Sequence, residues 1–401
     1  MFEKIVVNDF ILNKQRFIDI HKRNKEEIDK FSIFSGNLGM SIIISSFFED
    51  HLHISQDYVI DSLKEIETRR EILHSLSLFD GLGSLIIAMS SLKSKDVSIK
   101  MYDQLIEWYL NETIKNIKEL GEKDIIYSYQ IDFISGITGS VYALRFLDNY
   151  LSEKNTIYSG YIDLIDDIWN RDEAILVSNL KNQNQPYEEG KYVDMGIAHG
   201  IMGILGVLVY IYKNTQVKKY KNRHIISKIV KFTINCISKN DIKVPDIIKI
   251  TDKKITPVFG HRNAWCYGNL GAFLMLKKCM TIVEFDINEI LCCMRITKDE
   301  ISENLLLSHN ICHGSSGLLQ ASISFGEEED RKAIYNDLLN RIDYSDEYFG
   351  FYDSYSGDDG ARLVEKSFSL LAGSLGPIVC LLNESNQQKH SEVIQSLFLF
   401  D

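Results

Sequence analysis

Residues 197–209 read IAHGIMGILGVLV, two glycines three apart (Gly200 and Gly203) that run straight into an apolar stretch. The pattern recurs along the chain. It appears as FSGNLGMSIII at 34–44, LFDGLGSLIIAM at 78–89 and DFISGITGSVYAL at 132–144. It returns as WCYGNLGAFLML at 265–276, ICHGSSGLLQASI at 311–323 and LLAGSLGPIVCLL at 370–382. With the first stretch that makes seven copies, whose last glycines stand at 39, 83, 139, 203, 271, 317 and 376. Self-similarity at such spacing marks a repeat architecture, and each copy reads as a glycine turn that opens a buried helix. Pro377 directly after Gly376 suits the first position of a helix.

Between the copies the sequence is charged and amphipathic. In DYVIDSLKEIETRREILHSL at 57–76, Val59, Leu63, Ile66 and Ile72 fall near helical spacing. Apolar inner helices alternating with amphipathic outer ones bury best as two concentric layers. Because the copies share one glycine-rich end, closure into a ring is favoured over an open solenoid, and those ends would gather at one mouth. An all-α protein is expected, an α/α toroid of seven inner and seven outer helices. A single domain spanning 1–401 is expected, with core repeats over about 34–382. Two stretches break the pattern as insertions: the polar segment 182–195, and DIKVPDIIKITDKKIT at 241–256, whose alternation suits a short hairpin.

Composition narrows the function classes. Four prolines in 401 residues suit long uninterrupted helices. A net charge of −12 supplies no basic footprint for nucleic acid. The stretch 196–212 contains His199 and falls short of the ~20 residues a membrane span needs. An odd count of seven cysteines, behind a start without a secretory signal pattern, points to reducing cytosol.

Three copies replace the residues before the glycine with reactive groups: Ala198-His199-Gly200, Trp265-Cys266-Tyr267-Gly268 and Ile311-Cys312-His313-Gly314. If the copies are equivalent in space, Cys266, Cys312 and His313 converge. Two thiolates and an imidazole form a three-ligand tetrahedral set for one zinc, and an open fourth position is the mark of a catalytic site. Cys236, Cys279, Cys292, Cys293 and Cys380 lie outside such turns and read as small core hydrophobes.

The motifs W-C-Y-G and C-H-G, the upstream A-H-G and the seven glycine copies together resemble the lanthionine cyclase family, over about Phe34 to Leu382. That resemblance implies an α/α toroid that closes thioether rings in ribosomally made lantibiotic peptides. It implies Cys266, Cys312 and His313 as zinc ligands and His199 as an acid/base group. It further assigns to the site Asp132 of D-F-I-S-G, Arg262 four residues before Cys266, and Tyr267. The second copy departs from the pattern, with Gly81 and Gly83 only two apart, and it carries no chemistry.

The chemistry accounts for these groups. A peptide thiol with a pKa near ~8.5 is mostly protonated at neutral pH and must become a thiolate to add to dehydroalanine or dehydrobutyrine. The resulting enolate needs a proton at its α-carbon, and histidine suits that task. Asp132 either holds the His199 imidazole or caps its own glycine turn. Arg262 stabilises enolate charge or makes a supporting salt bridge; Tyr267 hydrogen-bonds a bound species or packs. His261 and His309 read as supporting or surface residues.

An alternative keeps the zinc but binds glutathione or another thiol as an adaptor or regulator. A third reading, catalysis on terpenes or sugars, would need paired carboxylates in a glycine copy, and Asp166-Asp167 and Asp358-Asp359 lie in none. With the first copy starting by Phe34, no dehydratase region fits ahead of it, so the expected partners are a dehydrated precursor peptide, a separate dehydratase and an ABC exporter. The expected location is cytoplasmic, at the inner face of the membrane through those partners.

Overall fold

A computed structural model describes residues 32–400 apart from 35, 96, 98, 100, 125, 173–190, 238–242, 252–253, 261–262, 285–307, 326–327, 344, 347, 357–361 and 386–391. The residues group into two compact units: Met1–Leu73, Phe79–Lys100 and Arg295–Asp401 form one, His74–Leu78 and Met101–Met294 the other. Each of the seven glycine copies opens a helix, as the repeat predicts.

In the first unit these helices are Asn37–Phe47, Leu82–Lys93, Ser315–Phe325 and Leu375–Ser385. Asn37–Phe47 is buried on every side from Asn37 to Ser45, as an inner helix must be. The helix that follows it, Leu52–Thr68, buries only Ile54, Ser55, Tyr58, Val59 and Ser62, one stripe. Serines allow the two to approach closely, and Ser41 Oγ and Ser55 Oγ meet at 2.7 Å. Glu328–Asn340 repeats the outer role behind Ser315–Phe325. An antiparallel strand pair, Asp353–Ser356 with Arg362–Glu365, also belongs to this unit. Pro377 is the third residue of its helix, not the first, a register that still leaves its missing N–H among the unpaired donors of the opening turn.

In the second unit the copies open Ile137–Ala143, Ile201–Asn214 and Asn269–Cys279. Tyr102–Gly121, Leu151–Asp172 and Lys219–Cys236 are the amphipathic partners. Ile201–Asn214 is buried continuously from Ile201 to Val209, so the long apolar stretch is a core helix. The expected hairpin forms from β2 (Ile247–Thr251) and β3 (Lys254–Val258), with Thr251 opposite Lys254. A strand not foreseen, β1 (Lys191–Asp194), adds to β2 and leaves Asp194 at its end, six residues before Gly200. No helix among the described residues is long and apolar enough to cross a membrane.

One backbone rule explains the glycines. In five of the copies the residue three before the first glycine donates its N–H to the carbonyl of the residue two before the first glycine of the next copy. In the first unit Ile311 donates to Leu371 at 3.1 Å, Leu370 to Phe34 at 2.7 Å and Ile33 to Phe79 at 2.8 Å. In the second, Phe133 donates to Ala198 at 3.2 Å and Ile197 to Cys266 at 3.0 Å. At Gly39, Gly139, Gly203, Gly271 and Gly376 the carbonyl three residues before the copy's first glycine folds back onto the second glycine. A Cβ on Gly139 would lie 2.1 Å from the Phe133 oxygen, and one on Gly271 2.1 Å from the Trp265 oxygen. No other residue leaves room for this contact, which is why the second glycine recurs.

Candidate active site and metal centre

The loops so joined hold the reactive side chains. Asp132 follows the single helical turn Ser128–Ile131, is 1% exposed and divides its carboxylate between two tasks. Oδ1 accepts the N–H groups of Ser135 at 2.6 Å and Gly136 at 2.8 Å, fixing its own glycine turn. Oδ2 faces Nδ1 of His199 at 2.7 Å. Both roles left open by the sequence are therefore filled by one side chain.

His199 is half-exposed and, with Nδ1 engaged, presents Nε2 as its remaining nitrogen. Burial works against its charged form, but the Asp132 hydrogen bond and charge, joined by Asp194 and Cys266, raise its pKa above the ordinary imidazole value. Asp194 is a site residue that the sequence did not reveal. It is fully buried, accepts the Gly196 N–H at 2.8 Å through Oδ1 and the Tyr267 hydroxyl at 2.6 Å through Oδ2. Burial pushes its carboxyl up to about 6, against the pull of Tyr267, Gly196 and His199. Tyr267 thus donates to a buried carboxylate, and burial together with Asp194 raises its own pKa.

Glycine again sets the spacing. A Cβ on Gly196 would lie 2.5 Å from the Cys266 oxygen and 2.9 Å from the Tyr267 ring, and one on Gly200 would lie 2.4 Å from Asp194 Oδ1. Gly268, which opens the helix after Cys266-Tyr267, has φ of 87°, a conformation that favours glycine. Arg262 and His261 lie outside the described residues.

Cys312 and His313 sit in a turn of the same design. Asn310 occupies the place of Asp132, four residues before the glycine, and its Oδ1 accepts the His313 N–H at 2.9 Å. His313 Nε2 lies 2.8 Å from Oδ1 of Asp353, a residue the sequence did not single out. Burial pushes the Asp353 carboxyl up, but the hydrogen bond and charge of His313, then Ser308 and the Ser354 N–H, outweigh it and hold the pKa below the usual range. His309 is buried, not at the surface: its Nδ1 accepts the Tyr352 N–H at 3.3 Å.

Cys266, Cys312 and His313 each offer one ligand atom, and together they are a group that could hold a metal ion. The donor set, two sulfurs and one imidazole nitrogen, fits zinc. Cys279 and Cys380 are buried and Cys236 is half-buried. Burial pushes the Cys236 thiol up to about 11 and Cys279 to about 12, as for packing residues. Cys292 and Cys293 lie outside the described residues, as do Asp358 and Asp359. Asp166 and Asp167 are engaged on the helix Leu151–Asp172 by Lys221 and Arg171.

A family profile described as "Lanthionine synthetase C-like protein" matches residues 27–399. Among solved structures, one described as "Nisin cyclase" matches with a TM-score of 0.72 at 18% identity, covering 98% of this chain and 98% of that one. At that identity the likeness shows the fold, the α/α toroid expected from the repeat. No curated protein matches the chain.

Proposed function

The chain belongs to the lanthionine synthetase C-like family, and from that premise we propose that it is a zinc-dependent lantibiotic cyclase, adding peptide cysteine thiols to dehydroalanine and dehydrobutyrine. The observation that carries this reading is the donor set of Cys266, Cys312 and His313, a group that could hold a metal ion. These residues would hold one zinc per chain. When bound, the zinc makes a peptide thiol a thiolate at neutral pH.

The remaining chemistry falls to side chains. The peptide thiol loses its proton to solvent, a C–S bond forms at the β-carbon, the π pair of the double bond moves to the α-carbon, and a proton must arrive there. His199 delivers it from Nε2 while Asp132 holds Nδ1 and favours the charged imidazole. Asp194 and Tyr267 fix the loop that carries Cys266. Arg262 is proposed to stabilise the enolate charge. The substrate is a dehydrated precursor peptide, so a dehydratase must act before this protein, and an exporter is the proposed partner after it, at the inner face of the membrane.

The test uses a dehydrated precursor peptide, alkylation of free thiols and mass spectrometry. Wild type should close rings and contain about one zinc by ligand count, and Cys312→Ala should lose most of that zinc. His199→Asn should keep zinc and slow ring closure by roughly 10²–10⁴-fold, the usual contribution of a positioned acid. Full zinc retention in Cys312→Ala and Cys266→Ala would overturn the metal assignment, and normal rates in His199→Asn would overturn the acid.

A further inference from the structure

We propose that Asp353 is the positioning residue of the metal centre: by accepting the Nε2 proton of His313 it fixes the ring so that Nδ1 faces the metal. The proposal rests on the zinc reading above. Asp353 Oδ1 lies 2.8 Å from His313 Nε2. A carboxylate at that distance requires a proton on the nitrogen, since it cannot face a bare lone pair. A neutral imidazole with Nε2 protonated binds metal through Nδ1, and the carboxylate makes that nitrogen more basic.

The carboxylate is itself held. Ser308 Oγ donates to Oδ1 at 2.8 Å and the Ser354 N–H donates to it at 2.7 Å. The two segments are strapped together beside this contact by one residue pair. His309 N–H donates to the Tyr352 carbonyl at 3.2 Å, and Tyr352 N–H returns to His309 Nδ1 at 3.3 Å. Asp353 opens the strand Asp353–Ser356, paired to Arg362–Glu365, so its backbone is anchored before its side chain reaches the ligand. The Asn310 amide, whose Oδ1 takes the His313 N–H, brings its Nδ2 to 3.2 Å from the same Nε2; the shorter Asp353 contact takes the Nε2 proton, and Nδ2 donates to the Ala372 carbonyl at 3.5 Å.

Zinc affinity of the purified protein is measured by competition with a chromophoric chelator for wild type, Asp353→Asn, Asp353→Ala and Ser308→Ala. The asparagine and alanine variants should bind zinc about 10–100-fold more weakly, the usual loss for an outer carboxylate, with helical circular dichroism unchanged. Ser308→Ala, which only loosens the carboxylate, should lose less than either. Nitrogen-15 spectra of wild type stripped of metal should show His313 with its proton on Nε2. Affinities within twofold of wild type in both Asp353 variants, or a proton on Nδ1 in those spectra, would overturn the role of Asp353 and leave the zinc reading standing. A wild type that takes up no zinc would overturn both. If the Asp353 variants fail to fold, the wild-type spectrum decides.

Discussion

Asp132 Oδ2 lies 2.7 Å from His199 Nδ1 across 67 residues of sequence, while the other oxygen of the same carboxylate ties down its own turn. The two oxygens can be tested apart. Asparagine at 132 can still accept the N–H groups of Ser135 and Gly136 but carries no charge toward the imidazole. Asp132→Asn should therefore keep most stability and lower the His199 pKa, read by NMR titration of the ring. Asp132→Ala should lower that pKa too and destabilise by about 1–3 kcal/mol, because buried donors lose their acceptor. An unchanged His199 titration in both variants would show that Asp132 does not set it.

The same pair gives stability a direction with pH. The folded His199 pKa is raised, so its contribution is complete below the unfolded value of about 6.5 and is lost as pH rises through the folded value. Urea midpoints above pH 6.5 should fall more steeply for wild type than for Asp132→Asn. Equal slopes would refute the linkage.

Asp194 acts over a lower window. Its carboxyl is pushed up to about 6 from 3.8, so between those values the folded chain binds more protons than the unfolded one and stability falls as pH rises. Tyr267→Phe removes the hydroxyl that Asp194 Oδ2 accepts. At pH 7.5, where the carboxylate is charged, that loss should destabilise by about 1.5–3 kcal/mol. At pH 4.5, where it is protonated, the loss should be smaller. A pH-independent effect would mean that Tyr267 contributes by packing alone.

The contrast between Asp132 and Asp194 shows what a sequence can disclose. The seven helices were legible because their glycine turns recur, and in five of them a steric rule accounts for the recurrence: the carbonyl three residues before the first glycine needs the second glycine bare. Cys266, Cys312, His313 and His199 were legible because they stand at matching positions in that register. Asp194 stands at the end of a strand whose partner, β2, lies more than fifty residues on, and no local pattern announces such a pairing. Asp353 reaches His313 across 40 residues from a strand outside every copy. Residues that support the site from inserted elements escape a reading that follows the repeat.

That steric rule separates glycines that look alike in sequence. Gly139→Ala would place a Cβ 2.1 Å from the carbonyl oxygen of Phe133, a residue whose own N–H is hydrogen-bonded to the Ala198 carbonyl of the next copy. The backbone must move, and a loss of about 1–3 kcal/mol or more is expected. Gly121 ends the helix Tyr102–Gly121, where a Cβ would meet only Leu164 Cδ1 at 4.0 Å. Gly121→Ala should be neutral or stabilise by about 0.4–1 kcal/mol. Denaturant midpoints of the two variants should move in opposite directions or differ by well over 1 kcal/mol; matching shifts would remove the special status of the second glycine.

Removing the metal tests whether zinc builds the fold or only the chemistry. In small zinc domains the metal supplies the folding energy and chelation unfolds them. Here Asn37–Phe47, Leu82–Lys93 and Ile201–Asn214 are buried along most of their length by apolar side chains, and none of them contains a proposed ligand. The Cys266 loop is held by the Ile197 N–H at 3.0 Å, and the Cys312 loop by the Leu371 carbonyl, which accepts the Cys312 N–H at 3.0 Å. These bonds do not depend on metal. Chelation at neutral pH should therefore leave helical circular dichroism and a cooperative thermal transition, lowered only by the mass-action term, about 2.7 kcal/mol at zinc a hundredfold above its Kd. Ring closure should stop and should return when zinc is added back. Global unfolding on chelation would make the metal a structural one and would remove the basis for an open position that takes a substrate thiol.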